Sequence, residues 1–137
     1  MGQVLPGATG RDHKRPLSMR EAGKAWEIRA SQYLSQRGLK LLESNVHCRL
    51  GELDLVMQDG DTTVFVEVRY RADDVRGSGA DTITPVKINR ICRAAGLFLA
   101  RNPDLAERPC RFDVISISGA GNDEDLQWIP NAFESTI

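Results

Sequence analysis

Two carboxylates interrupt stretches of this sequence that otherwise read as buried β-strand. Asp54 stands within Gly51-Glu-Leu-Asp-Leu-Val56, and Glu67 within Thr63-Val-Phe-Val-Glu-Val-Arg-Tyr-Arg71. Side chains alternate along a strand, so Asp54 shares a face with Glu52 and Val56, and Glu67 shares one with Phe65, Arg69 and Arg71. An unpaired carboxylate is costly to bury, so Glu67 must pair with a cation, ligate a metal, or stand at an open edge of the sheet. The structural alternatives are an ion pair with Arg69 or Arg71, an ion pair with a helix residue, and plain exposure. An all-oxygen pair on neighbouring strands suits magnesium or manganese and, through that ion, work on a phosphate. The two histidines, His13 and His47, argue against zinc and against histidine-based acid catalysis.

Asp59 and Gly60 separate the two strands, and the length of that turn decides which residues face each other. A two-residue turn puts Asp54 opposite Phe65 and Glu52 opposite Glu67. A four-residue loop, Asp59 to Thr62, puts Asp54 opposite Glu67. Both registers leave two or three carboxylates within reach of one ion, because diagonal neighbours across a ladder are also close. Glu27 is a third candidate. Helical rows place it beside Gly23, Ala30 and Leu34, at the margin of an apolar stripe, where it either leans over the sheet or stays in solvent.

These residues need elements to position them. Ser18 and Glu21 form a capping box that starts a helix from about 19 to 37, with Gly38 as its left-handed stop. Ala22, Ala25, Trp26, Ala30, Tyr33 and Leu34 make its apolar stripe. Three strands follow, at about 39–48, 52–58 and 63–71, and the β-branched and aromatic density of the third puts it in the middle of the sheet. Residues 72–83 read as a long loop of the kind that carries function. Thr84 and Pro85 open a second helix that Asn102 and Pro103 close. Ile88, Ile91, Cys92, Ala95, Phe98 and Leu99 face inward there, while Lys87, Arg90, Arg93 and Arg101 face out. A strand at Arg111–Ser118 implies a right-handed parallel crossover, and Leu126–Ile129 reads as an edge strand. Residues 1–17 read as a mobile tail, and 18–137 as one domain.

Composition supports a soluble chain with a real core: 137 residues, 41% hydrophobic. The net charge of −1 excludes a uniformly basic nucleic-acid binder, yet charge is segregated. Arg69 to Arg111 holds nine Lys or Arg against five Asp or Glu, whereas Glu43 to Glu67 holds six acidic residues and Arg49 alone as a base. That pattern fits a metal site beside a phosphate-binding surface, or two solvated faces of opposite sign. Three cysteines, Cys48, Cys92 and Cys110, give no disulfide framework or zinc knuckle. No run is long and apolar enough for a bilayer, the start lacks the apolar middle of a signal peptide, and Pro6 breaks a myristoylation pattern, so the expectation is a cytoplasmic protein.

Taken together, Gly23-Lys-Ala-Trp-Glu27, Gly51-Glu-Leu-Asp-Leu-Val56, Phe65-Val-Glu-Val-Arg-Tyr-Arg71, Lys87 and Arg111-Phe-Asp-Val114 resemble the YraN-type bacterial family over roughly residues 19–134. That family is similar to Holliday-junction resolvases and restriction enzymes of the PD-(D/E)XK type. The resemblance implies an α/β fold: a restriction-endonuclease-like αβββαβ core, its central mixed β-sheet flanked by helices. It implies that Asp54 and Glu67 ligate the metal, that Glu27 assists from the helix, and that residue 69 is the basic position. The nuclease pattern usually has lysine there, and this chain has Arg69. Arginine stays charged, so it orients water or stabilises developing charge and does not exchange a proton. Lys87, one helix later, is the candidate to stand in.

The expected function is therefore a magnesium- or manganese-dependent endonuclease or junction resolvase. Its catalytic residues are Glu27, Asp54, Glu67 and Arg69, and Arg71, Arg76, Lys87, Arg90 and Arg93 contact flanking phosphates. Few aromatics are free to stack on bases, which favours duplex or branched DNA over single strands. A homodimer suits a substrate with two strands to cut. The alternative is a nuclease-fold adaptor that binds nucleic acid without cutting it.

Overall fold

Ser18 opens the first helix as its capping box predicts: the Ser18 hydroxyl accepts the Glu21 amide at 3.1 Å, and the Glu21 carboxylate accepts the Ser18 amide at 2.9 Å. In the computed structural model, residues 18–71, 83–119 and 125–136 are described. Along the chain come α1 (Met19–Ser35), β1 (Lys40–Cys48), β2 (Gly51–Asp59), β3 (Thr62–Arg71), α2 (Pro85–Ala100), the single turn α3 (Pro103–Ala106), β4 (Cys110–Ser118) and β5 (Leu126–Phe133). The expected tail and residues 72–82 of the expected loop, Arg76 among them, lie outside the described residues.

The strands form one five-stranded sheet in the order β1-β2-β3-β4-β5, with β3 and β4 parallel and the other neighbours antiparallel. This is the mixed α/β sheet expected, with β3 at its centre and the order α1-β1-β2-β3-α2-β4 that the resemblance implies. Each face carries a helix. Ala30 and Leu34 of α1 pack on Leu55, Met57, Val64, Val66, Ile115 and Ile117, with Trp26 and Tyr33 partly buried beside them. Ile91, Cys92, Ala95 and Phe98 of α2 pack on Val56, Phe65 and Phe112. Ala25, expected in the α1 stripe, is exposed: the stripe is narrower than the apolar composition suggests. Helix α1 stops where Gly38, at φ 98°, turns left-handed and lets the Leu39 amide reach back to the Leu34 carbonyl at 3.1 Å.

Two details set up the site. The β2–β3 turn is Gly60–Asp61, one residue later than expected, because Gly60 takes φ 62° and Asp59 pairs with Thr62. Gln58 thus faces Thr63 and Leu55 faces Val66, the register of the longer-loop alternative. At the other end of the sheet, Asp113 is fully buried and ties β4 to β5. It accepts Arg111 Nε at 3.0 Å and the second guanidinium nitrogen at 3.2 Å, the Trp128 indole N–H at 3.0 Å, and the Asn131 amide at 2.9 Å. Arg111 also reaches Asp59 at 3.1 Å. The Arg111-Phe-Asp segment therefore locks β5 and the hairpin onto β4, a structural role.

Candidate active site

The site begins where the β2 ladder fails. Pairing with β3 runs to Leu55↔Val66 and ends there, one step before Asp54 would meet Glu67. Instead of a carbonyl, the Asp54 carboxylate meets β3: its Oδ2 accepts the Val68 amide at 2.9 Å. Alternation in β2 breaks at the same place, since Leu53 packs with the α2-side cluster and Leu55 with the α1-side cluster. On the other flank, β1 pairs Ser44 with Leu55 and Val46 with Leu53, and Asn45, opposite Asp54, adopts φ 53°. Asparagine tolerates that left-handed region better than most residues. A row of Asn45, Asp54 and Glu67 thus crosses three strands where the backbone is least regular.

Glu67 is 4% exposed on the face beneath α2. Its cation comes from a helix: Lys87 Nζ stands 2.7 Å from Glu67 Oε2. The start of α2 aims Lys87 there, because Thr84 caps the helix by accepting the Lys87 amide at 3.1 Å and Pro85 fixes its first position. Glu27 arrives from α1. Both the Asn45 side chain and the Asp54 carboxyl reach the Glu27 carboxyl, and Glu27 Oε1 is buried with no hydrogen-bond partner.

One ammonium among three carboxyls leaves an excess of negative charge, and the carboxyls hold protons in response. Burial pushes Glu67 up to about 7, with the Asp54 charge adding to it and Lys87 opposing. Burial, then Asp54, raises Glu27 to about 7 as well. Asp54 is raised by its burial, against the pull of the Val68 amide. Carboxyls crowded this way release their protons when a cation enters. Among the described residues, no group of three or more His, Cys, Asp or Glu side chains already stands as a set of metal ligands. Magnesium does not require one: it keeps several waters and binds through one or two carboxylates plus substrate phosphate. The Asp54–Glu67 pair with the unpartnered Glu27 oxygen beside it fits that mode.

Two clefts meet at these residues. One, of about 740 Å³, runs from Asp54, Glu67 and Lys87 toward Arg90 on α2 and toward His47 and Arg49 at the β1–β2 turn. That turn sits tight on α2: a Cβ at Gly51 would stand 3.1 Å from the Arg90 carbonyl oxygen. The other, of about 590 Å³, passes from the same three residues along Glu27, Trp26 and Tyr70. The structure thus brings Glu27, Asp54, Glu67 and Lys87 together, with Arg90 on the rim. Arg69 and Arg71 are partly buried on β3 beyond Glu67, Arg93 is exposed on α2, and none of the three lines either cleft. Sequence reasoning missed Arg49, Trp26 and Tyr70 as cleft residues, and Asn45 as the neighbour of Glu27. Trp26 sits inside the helix motif and Tyr70 directly after Arg69, so adjacency to the motifs was a usable signal for those two. Nothing in the sequence marks Asn45, whose place depends on a broken ladder.

The family described as "Uncharacterised protein family UPF0102" matches residues 26–117, which includes Glu27, Asp54, Glu67 and Lys87. A UPF0102 protein of Stutzerimonas stutzeri is 51% identical over 114 residues, covering 83% of this chain and 95% of its own length. One from Nitrosococcus oceani is 42% identical over 119 residues, 87% of this chain and 96% of its own. One from Xylella fastidiosa is 50% identical over 117 residues, 85% of this chain and 95% of its own. The chain belongs to the UPF0102 family, the YraN-type family its sequence resembles.

Proposed function

We propose that this chain is a divalent-metal-dependent endonuclease, hydrolysing phosphodiester bonds in nucleic acid at the junction of the two clefts. One observation carries the reading: Asp54 and the buried Glu67 come together at a break in the sheet, with Lys87 Nζ 2.7 Å from Glu67. Asp54 and Glu67 are the residues to hold magnesium or manganese, with Glu27 beside them. When bound, such an ion supplies positive charge against the phosphate and acidity for water.

The chain's own residues do the rest. Lys87 is the basic residue placed at the carboxylates, so it takes the part that the resemblance assigns to position 69. Its ammonium offsets Glu67 and is placed to donate to a nonbridging phosphate oxygen, where fixed charge lowers the barrier as negative charge builds. Glu27, an ionised carboxylate beside the pair once a cation is bound, is placed to take a proton from the attacking water as general base. Arg90 and Arg49 flank the larger cleft and suit neighbouring phosphates, which makes binding steeply salt-dependent. The charge contrast between acidic centre and basic rim then positions a backbone without reading sequence. Among the described residues no helix is long and apolar enough to cross a membrane. We place the protein in the cytoplasm with duplex or branched DNA as substrate, and a twofold dimer would present two such sites to two strands.

The test is cleavage of linear and branched DNA by the wild type, Glu67→Ala and Lys87→Ala, with magnesium or manganese. Metal-dependent cutting lost in both variants supports the proposal. Binding with a steep salt slope and no cutting in any metal would establish the adaptor reading, for which the displacement of Arg69 from the clefts is the motivating observation.

A further inference from the structure

Trp26 and Tyr70 stack with ring centroids 4.4 Å apart and planes 8° from parallel. The indole belongs to α1 and packs against the core on that face. The phenol is different: with one face already covered by Trp26, Tyr70 remains 40% exposed. Its hydroxyl donates to the Gly119 carbonyl at 3.0 Å, so the ring is held from two sides. A ring kept for core packing has no need of such exposure, and a loose surface ring has no need of two restraints. Both rings line the same cleft of about 590 Å³ that contains Asp54, Glu67 and Lys87. Tyr70 lies three residues beyond Glu67 on β3, so the two side chains leave opposite faces of the strand, and the cleft joins them around the strand edge where β2 has peeled away.

We infer that the Trp26–Tyr70 pair is a stacking platform for an unpaired nucleobase next to the phosphate held at Asp54, Glu67 and Lys87. This rests on the nucleic-acid reading above and narrows it to a substrate class: a strand with an extruded, bulged or terminal base. In a continuous duplex both faces of every internal base are occupied by neighbours, so Tyr70 would have nothing to receive. A pre-fixed ring gains stacking energy without paying to order itself, and it is tolerant of base identity because every base has a π-face. Tyr70 is one of the few aromatics placed to stack on a base. The Trp26–Tyr70 pair brings together two aromatics that are separate in sequence and arrive from a helix and a strand.

The test uses the full chain in EDTA, so that DNA stays intact, with a labelled duplex and the same duplex carrying one unpaired 2-aminopurine. The wild type should bind the bulged duplex about tenfold more tightly and quench the 2-aminopurine. Tyr70→Ala and Tyr70→Leu should each lose at least about fivefold on the bulged duplex and nothing beyond about twofold on the plain one. Tyr70→Phe, which keeps the ring, should retain the preference. Tyr70→Leu keeps an apolar contact with Trp26, so it guards against simple unfolding of the alanine variant, and a thermal melt checks both. If either folded variant binds the bulged duplex as the wild type does, or loses equally on both duplexes, the platform is overturned while the nucleic-acid reading stands. If the wild type binds neither duplex at low salt, with calcium present as well as in EDTA, both fall together.

Discussion

Asp54 Oδ2 takes the main-chain hydrogen bond of Val68 at 2.9 Å, where a strand carbonyl would otherwise have been the acceptor. A side chain thereby does part of the ladder's work and is held against β3 while doing it. Asp54→Asn keeps an acceptor for Val68 and should cost less than about 1 kcal/mol, whereas Asp54→Ala strands that amide and should cost about 1–3 kcal/mol. Denaturant unfolding of the two variants measures the difference. Equal costs would mean that the hydrogen bond is not what Asp54 contributes to the fold. Both variants should lose the thermal stabilisation that manganese gives the wild type.

Stability without metal should fall as pH rises from about 4.5 to about 7. Below that window, Glu67 and Glu27 are protonated in both folded and unfolded chains. Within it, the unfolded chain has released protons that the folded chain still holds, because both groups are raised from 4.5 to about 7. Excess protons on the folded state make unfolding easier with each step up in pH, until the loss is complete above about 7. The two groups share the slope, since each is raised over the same range. Melting temperature against pH should therefore decline over this window, decline less steeply in Glu67→Gln, where Glu27 still titrates, and flatten when manganese is present. A rising or level profile in the metal-free wild type would contradict the crowding of these carboxyls.

Lys87→Met should cut cleavage by at least about 100-fold, while Arg69→Met should have a smaller effect. The fold should tolerate the loss of Lys87 to within about 1 kcal/mol, since the lysine is half exposed and Glu67 can take up a proton in its absence. Single-turnover rates on a branched duplex compare the two. A larger loss from Arg69 would return the basic role to the position that the sequence resemblance gives it.

Asp113→Ala should destabilise the fold by about 3 kcal/mol or more, because it leaves the Arg111 guanidinium, the Trp128 indole N–H and the Asn131 amide without their shared acceptor. Asp113→Asn should cost less. Manganese should still raise the melting temperature of Asp113→Asn, since Asp113 lies away from both clefts. A variant that folds normally but fails to respond to manganese would move Asp113 into the site.

Much of this was legible in the sequence, for reasons that differ by residue. Ser18, Glu21, Thr84 and Pro85 announce helix starts through local chemistry, and the Val-Phe-Val run of β3 announces a central strand through burial. Glu67 was legible as an anomaly, because a carboxylate in that run needs a partner. Its partner was legible in part: a pair with a helix residue was one alternative and Lys87 a candidate at the site, but Lys87 is twenty residues away and only the β3-to-α2 connection brings the two together. The register of β2 on β3 depended on whether Gly60 or Asp59 leads the turn, which the left-handed φ of Gly60 decides. Asn45 and the Trp26–Tyr70 stack required the folded sheet, since their meaning lies in contacts between elements and not in spacing along one.

The most direct test of the account is calorimetry of manganese binding to the full chain near pH 7, repeated in buffers of different ionisation enthalpy. The account predicts saturable binding that releases protons, because carboxyls raised to about 7 must give them up to a cation. It also predicts that Asp54→Asn and Glu67→Gln abolish the binding heat while remaining folded. No binding to the wild type, or binding of the same strength and proton release in both variants, would contradict it.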